Sequence, residues 1–177
     1  MLLQGAKPII KFALGENVTQ AGNRRPTRYP ASRMGVDQIF RDWFSAAIDY
    51  RRKQEEFEKG GSINGVPPRP NLRLEALLDV LDGRMAVHCH SYRQDEILAA
   101  LRMANDIGFR IQVLIHVLEG YKVADAIREH GAMPSTFSDW WSYKFEVYDA
   151  IPHNGALMYE QGLTVSFNSD DAEIARR

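Results

Sequence analysis

Hydrophobic positions along the chain fall into two alternating patterns, which predict strands separated by helices. Short apolar runs typical of buried strands lie at 6–14, in the run that ends at His88, and at 109–115, 132–137 and 163–168. Apolar residues spaced three or four apart predict amphipathic helices at 36–59, 72–81, 121–130 and 155–161, and another between His90 and Gly108. Strands that alternate with helices indicate an α/β fold with a parallel sheet and right-handed crossovers.

Two architectures fit this order of elements. Five predicted strands are too few for a closed eight-stranded barrel, which typically needs roughly 250 residues. The sequence begins almost directly on a predicted strand and ends just after one. It is therefore either an open five-stranded sheet or the later part of a barrel, and the hydrophobic pattern alone does not distinguish the two.

Composition and charge narrow the class of partner. The chain has 177 residues with 45% hydrophobic and 25% charged side chains, which is typical of a single globular domain. Its net charge of −1 offers no electrostatic basis for binding nucleic acid or an anionic membrane surface. No apolar run approaches the roughly 20 residues of a membrane helix, and no signal peptide is visible. With Cys89 as the single cysteine, we expect no intramolecular disulfide and a cytoplasmic location.

Potential metal ligands lie where the predicted strands end. His88 and His90 follow an apolar run and are two residues apart, so in a strand both would project from the same face. His116 follows the third predicted strand, and Asp170 and Asp171 follow the last. The carboxyl ends of parallel strands meet at one edge of a sheet, where α/β folds place their chemistry. Imidazole and carboxylate groups are ligands that divalent metals accept, and a bound metal activates water.

The same residues have a simpler interpretation. A single histidine at a strand end is more often a hydrogen-bonded structural residue than a ligand. Three strand ends that each finish in a potential ligand indicate a shared site, and the structural role stays the alternative. The spacing does not decide whether His88 or His90 would be the ligand.

Several longer runs resemble a known family. The segments IIKFALGEN, VHCHSYRQDEI, HVLEGYKVAD, STFSDWWSYKFEVYDAIPHNGAL and VSFNSDDAE are similar to the later strands of the amidohydrolase superfamily, and most similar to its imidazolonepropionase-like and Xaa-Pro-dipeptidase-like branch. The resemblance extends from Gly5 to Arg177. It implies a partial (β/α)8 TIM barrel that contains strands four to eight or so, in a single domain over residues 1–177.

The resemblance also implies a set of metal ligands. Lys11 matches the strand-four lysine, which in the family is often carboxylated and bridges two metal ions. His88 matches the strand-five histidine and His116 the strand-six histidine, with His90 as an alternative to His88. Asp170 matches the strand-eight aspartate, which in the family binds metal and transfers the proton of the attacking water; Asp171 is the neighbouring alternative. The implied cofactor is zinc, as one or two divalent ions.

The implied activity is hydrolysis of C–N bonds by metal-activated water. The expected substrate is a small molecule or a dipeptide-like compound with an amide or cyclic amide bond. The sequence departs from the family because no His-x-His pair precedes Lys11. We therefore expect a truncated form with reduced or no activity. The alternative is a non-catalytic barrel fragment that self-associates, and in either case we expect a homo-oligomer.

Further residues near the predicted strand ends are candidates for substrate binding: His90, Arg93, Tyr121, Tyr143 and Lys144. Arg93 has the geometry to hold a carboxylate in a bidentate manner, although a surface ion pair is about equally probable. Most of the aromatic cluster around Trp140 is expected to pack in the core. His130 is expected to end a helix and to interact favourably with its dipole.

Overall fold

The described strands form one parallel sheet in chain order. The computed structural model describes residues 4–19, 28–61, 65–137 and 144–170. Its strands are β1 (Ile9–Ala13), β2 (Ala86–His90), β3 (Val113–Ile115), β4 (Met133–Thr136) and β5 (Ser166–Phe167). Each strand pairs with the next along the chain, and every pairing is parallel. Sequential order without a reversal is the arrangement of an arc of a (β/α)8 barrel rather than of a doubly wound sheet.

Helices fill the connections between the strands. They are α1 (Glu16–Thr19), α2 (Arg33–Glu58), α3 (Leu72–Leu81), α4 (Gln94–Ile107), α5 (Ala124–His130) and α6 (Asn154–Glu160). The predicted bounds of α3 are confirmed, because the Asn71 side chain accepts hydrogen bonds from the first-turn N–H groups of Arg73 and Leu74. None of the described helices is both long and apolar enough to cross a membrane.

One face of the sheet packs against the helices and forms the core. The Phe12 ring makes edge contacts with Phe40, Phe44 and Phe109, and the last two rings stack with their centroids 4.7 Å apart. Cys89 on β2 is buried in the same core, and this burial raises the pKa of its thiol to about 12. Aromatic packing around Phe12 of β1 therefore fixes α2 against the sheet.

The opposite face of the sheet carries the candidate polar residues. In the register, Lys11 pairs with His88, His88 with Val113 and Val113 with Met133, so these side chains project from the same face. At one end of this face, Ile9 is 58% exposed, and Met133 is 49% exposed. In a complete barrel this face would be the interior, so its apolar members are only partly covered here.

Two strands differ from the predicted bounds. β2 continues to His90 rather than ending at His88, because Leu14 N–H donates to the His90 carbonyl at 2.9 Å. β3 covers only Val113–Ile115 rather than 109–115. Before it, the Gln112 side chain accepts the Val87 N–H, so a side chain takes the place of a strand carbonyl.

Other predicted elements are confirmed with changed ends. The helix at 121–130 is divided into a 3₁₀ turn at Gly120–Lys122 and α5. The last strand is two residues long rather than six. The aromatic residues at 138–143 and the loop residues at 20–27 lie outside the described ranges.

His130 does not act as the helix-dipole cation that the sequence suggested. Its buried ring accepts the Ile111 N–H at Nε2 (3.0 Å) and lies 2.9 Å from Asn105 Oδ1 through Nδ1. The ring must be neutral for Nε2 to accept this hydrogen bond. Burial, and secondarily the positive charge of Arg110, lower the pKa of His130. The residue therefore joins α5 to the start of β3 as a neutral side chain.

We expect acidification to destabilise the fold partly through His130. The ordinary pKa of histidine is about 6.5, and that of His130 in the folded chain is lower. As the pH falls below about 6.5, the unfolded chain binds a proton at this position more readily than the folded chain does. The free energy of unfolding therefore decreases as the pH decreases. In His130→Gln this loss should be smaller than in the wild type. Urea denaturation at about pH 7.5 and about pH 5.5 measures the difference. His153→Gln, at an exposed position, is the control; an equal loss in wild type and His130→Gln would contradict the prediction.

Candidate active site

Three of the predicted site residues meet at the carboxyl edge of the sheet. His90 ends β2, His116 follows β3 directly and Asp170 lies three residues beyond β5. The rings of His90 and His116 are 4.9 Å apart between centroids and nearly perpendicular. The Nε2 atom of His116 lies 3.6 Å from Asp170 Oδ2. The imidazoles are buried and the carboxylate is exposed, so the group is open to solvent on the Asp170 side.

The backbone at this edge is strained. His116 has φ +66° and Asp170 has φ +51°, in the left-handed region that non-glycine residues rarely adopt. The Val117 N–H donates to Ser135 and the Leu118 N–H to His116, which hold the turn in place. Such strain costs roughly 1–3 kcal/mol per residue and is concentrated at functional sites. Here it falls on two residues that the sequence had singled out.

Both imidazoles are held in the neutral form. Burial, and secondarily the proximity of His116 and Lys11, lowers the pKa of His90 to about 4. Burial also lowers the pKa of His116, and the charge of Asp170 only partly offsets this effect. Each ring therefore carries one lone-pair nitrogen near neutral pH, which is the state that binds a metal ion.

Aromatic rings and an amide orient the two imidazoles. The Tyr92 ring meets the His90 ring edge-on at 4.7 Å and lies nearly parallel to the His116 ring at 5.8 Å. The Phe137 ring lies 5.3 Å from that of His116. The Asn17 amide nitrogen lies 3.4 Å from His90 Nε2 and can only donate to it. The His90 and His116 rings thus have fixed neighbours on several sides.

Lys11 and His88 lie on the same face but one layer deeper in the sheet. They pair in the β1–β2 register, two residues before Ala13 and His90. Burial, and secondarily the Lys11 charge, lower the pKa of His88. The same charge contributes to the lowered pKa values of His90 and His116. The geometry brings His90 rather than His88 against His116. The assignment of the strand-five ligand to His88 stays a prediction.

The donors present suit a divalent metal ion. Within the described ranges, no group of three or more His, Cys, Asp and Glu side chains is already assembled at metal-binding distances. The buried Nδ1 of His116 nevertheless lacks a hydrogen bond of normal geometry among the described residues. A nitrogen with this environment is a suitable donor to an ion, and two neutral imidazoles with a carboxylate form a common ligand set.

The predicted substrate-binding residues have different surroundings. Lys144 Nζ lies 4.4 Å from the centroid of the Tyr92 ring, next to the imidazoles. Arg93 pairs with Asp95 at 2.9 Å and lies over the Phe145 ring. The Tyr121 hydroxyl donates to the carbonyl of Asp149 at 3.1 Å. Lys144, which pairs with Glu146, lies next to the imidazoles, and Arg93 and Tyr121 also have protein partners. Tyr143 and Asp171 lie outside the described residues.

Sequence reasoning missed a buried charged cluster beside the imidazoles. Glu146 is fully buried and accepts the Glu16 N–H at 2.9 Å. Arg33 Nε lies 2.7 Å from Glu96 Oε1, and its Nη2 lies 3.9 Å from Glu146 Oε2. A weak signal is Gly15, where a Cβ would lie 2.5 Å from Glu146 Oε2. The glycine marks a close approach, but its sequence position does not identify the partner.

No family model matches the chain. Amidohydrolase tasK from Hapsidospora irregularis is 33% identical over 172 residues, which cover 92% of this chain and 17% of that protein. The crystal structure of an amidohydrolase from Thermotoga maritima MSB8 matches with a TM-score of 0.80 and 26% identity, over 92% of this chain and 41% of that one.

These similarities support the amidohydrolase superfamily. The chain spans less than half of either relative. Its fold corresponds to part of a TIM-barrel-like amidohydrolase, as the sequence resemblance implied. The fold class is thereby confirmed as a five-stranded parallel sheet with flanking helices.

The strained backbone of His116 leads to a stability prediction. In the left-handed region glycine is favoured over alanine, so His116→Gly should unfold with a free energy about 1 kcal/mol higher than His116→Ala. Both variants lose the same ring, so the comparison isolates the backbone. Urea denaturation measures the difference. The control is Ala99→Gly on the exposed side of α4, where glycine should cost about 1 kcal/mol. Equal stability of the two His116 variants would count against the strain.

Proposed function

We propose that this chain forms the later strands, four to eight or so, of a metal-dependent hydrolase that cleaves C–N bonds in amides, cyclic amides or dipeptides. We place it in the imidazolonepropionase-like and Xaa-Pro-dipeptidase-like branch of the superfamily. The observation that carries the proposal is the approach of His90, His116 and Asp170 at the carboxyl edge of the sheet. The similarity to two amidohydrolases supports it.

The proposed metal ligands are Lys11, His88, His116 and Asp170, with His90 beside them. Bound there, zinc would supply Lewis-acid activation of water and polarise the substrate carbonyl. Lys11 and His88 face each other in the sheet register, and Lys11 is exposed, as carboxylation of its amine requires. The neutral imidazoles offer lone pairs without a preceding loss of protons.

Asp170 is the proposed proton carrier. Its Oδ2 atom is held 3.6 Å from His116 Nε2, and its side chain is 58% exposed. It is therefore accessible both to water and to a substrate that enters from solvent. In the proposed reaction, Asp170 accepts the proton of the attacking water and donates it to the leaving nitrogen as the C–N bond breaks.

The proposed substrate is a small molecule or a dipeptide-like compound. Lys144 would provide positive charge near the imidazoles for a substrate carboxylate, with His90, Arg93, Tyr121 and Tyr143 as further contacts. Arg93 would have to exchange its Asp95 partner for the substrate. This exchange leaves Asp95 without its ion pair. The net gain in substrate-binding free energy from Arg93 is therefore smaller than that from an unpaired arginine.

Self-association is the second proposed property. The partly exposed apolar residues Ile9 and Met133 lie on the face of the sheet that a complete barrel encloses. Phe167 on β5 is also exposed. Exposed apolar surface and open strand edges favour association. In this alternative the 177-residue chain is a non-catalytic barrel fragment, and its homo-oligomer covers the inner face.

Zinc binding tests the hydrolase proposal. After reconstitution with zinc, we expect the wild-type chain to retain stoichiometric metal by elemental analysis. His116→Gln and Asp170→Asn should weaken binding about tenfold or more, because each removes a donor. His153→Gln, at an exposed position, should bind as the wild type does.

The same measurement distinguishes the two candidate strand-five ligands. His88→Gln should weaken zinc binding by as much as His116→Gln if His88 is the ligand, whereas His90→Gln should have the smaller effect. The reverse order would assign the role to His90. No retained zinc in the wild-type chain would reject the metal site of this chain.

Light scattering after size-exclusion chromatography tests self-association. We expect at least twice the monomer mass, and Met133→Glu should raise the dissociation constant about tenfold or more because it puts a charge on the apolar face. Met34→Glu, on an exposed site of α2, is the matched control and should leave the mass unchanged. A stable monomer for the wild-type chain would rule out the proposed oligomer.

A further inference from the structure

We propose that Glu146 is a positioning residue that orients both candidate imidazoles through two separate sets of contacts. One set runs through Glu16 and Asn17 to His90, and the other through Lys144 and Tyr92 to His116. The inference rests on the proposed function only in taking His90 and His116 as the site.

Glu146 combines complete burial with charged contacts on both carboxylate oxygens. Its Oε2 accepts the Glu16 N–H at 2.9 Å, and its Oε1 lies 2.5 Å from Lys144 Nζ. Arg33 Nη2 lies 3.9 Å from Oε2. A buried carboxylate is stable only where such partners compensate the loss of water. Glu16 and Arg33 come from distant parts of the chain, whereas Lys144 is two residues away, so the carboxylate fixes the first two against the segment that carries Lys144.

The first set of contacts determines where Asn17 lies. Glu16 is the first residue of α1, and its N–H is held by the Glu146 carboxylate. The preceding Gly15 has φ +80°, and a Cβ there would lie 2.5 Å from Glu146 Oε2, so the turn is closed around this carboxylate. The next residue, Asn17, directs its amide nitrogen to His90 Nε2 at 3.4 Å.

The consequence is a defined tautomer of His90. The amide nitrogen of Asn17 donates, so the contact favours the tautomer of the neutral His90 ring in which Nε2 accepts and Nδ1 carries the hydrogen. In this tautomer the lone pair of Nε2 accepts the hydrogen bond from the Asn17 amide. Asn17 is exposed, and its loss should leave the core intact.

The second set of contacts acts on His116 through a cation and a ring. Lys144 Nζ lies 2.5 Å from Glu146 Oε1 and 4.4 Å from the centroid of the Tyr92 ring. The Tyr92 ring is nearly parallel to the His116 ring, at an interplanar angle of 21°. The carboxylate therefore holds the ammonium group on Tyr92, and the Tyr92 ring limits the orientation of His116.

Glu96 provides a matched comparison. It is also a buried glutamate, and it pairs with Arg33 at 2.7 Å. It shares Arg33 with Glu146, but its described ion pair does not extend to Asn17 or Lys144. Glu96→Gln should therefore lower stability without changing the imidazoles, whereas changes at Glu146 should alter them.

Nitrogen NMR of the imidazole rings in the metal-free full chain tests the inference. An imidazole nitrogen with a lone pair resonates far downfield of one that carries hydrogen, so the spectrum reports the tautomer directly. In Asn17→Ala, the two His90 nitrogen signals should move toward each other while those of His116 stay in place. Glu146→Gln keeps an acceptor for the Glu16 N–H but removes the negative charge that pairs with Lys144, so the His116 signals should move.

Two results would overturn the inference. One is unchanged His90 signals in folded Asn17→Ala, or unchanged His116 signals in folded Glu146→Gln, because either result breaks one of the two sets of contacts. The other is equal movement of these signals in Glu96→Gln, which would show a general structural role. Asn17→Ala keeps the test decisive where a Glu146 variant does not fold. Since the spectra need no zinc, a chain that binds no metal but shows the expected shifts would reject the proposed metal site and leave the inference standing.

Discussion

The parallel pairing of the five strands is the constraint on which the rest of the structure depends. Because every strand runs in the same direction and pairs with the next along the chain, all carboxyl ends meet at one edge. Residues that are far apart in sequence, such as His90 and Asp170, are brought to that edge by strand direction alone. The aromatic packing around Phe12 holds α2 against one face of the sheet. The candidate site residues therefore lie on the opposite, polar face.

Much of the fold follows from local patterns, and the failures have local causes. The bounds of α3 were predictable because Asn71 and the Asp82–Gly83 turn act within a few residues of its ends. The short β3 was not, because Gln112 accepts a strand N–H through its side chain, and hydrophobic spacing contains no information on that choice. His130 was misjudged for the same reason, since both of its ring contacts come from residues at least 19 positions away.

The candidate site was predictable in composition but not in geometry. Strand-end logic selected the histidines and Asp170, since it needs only the strand direction. It could not tell which of His88 and His90 meets His116, because that depends on where β2 ends. Strand-end logic could not identify Glu146, because the hydrogen bond that Glu146 accepts from Glu16 joins residues 130 positions apart. A buried carboxylate has no signature in sequence until its partners are known.

Cys89 lies in the strand between the two histidines, but its side chain points into the core rather than to the polar face. A thiol with a pKa near 12 in a closed core reacts with alkylating reagents only when the protein opens around it. The single cysteine is thus an intrinsic reporter whose labelling rate follows the detachment of β2 from its helices. Its labelling rate therefore measures how often the core beneath the two histidines opens.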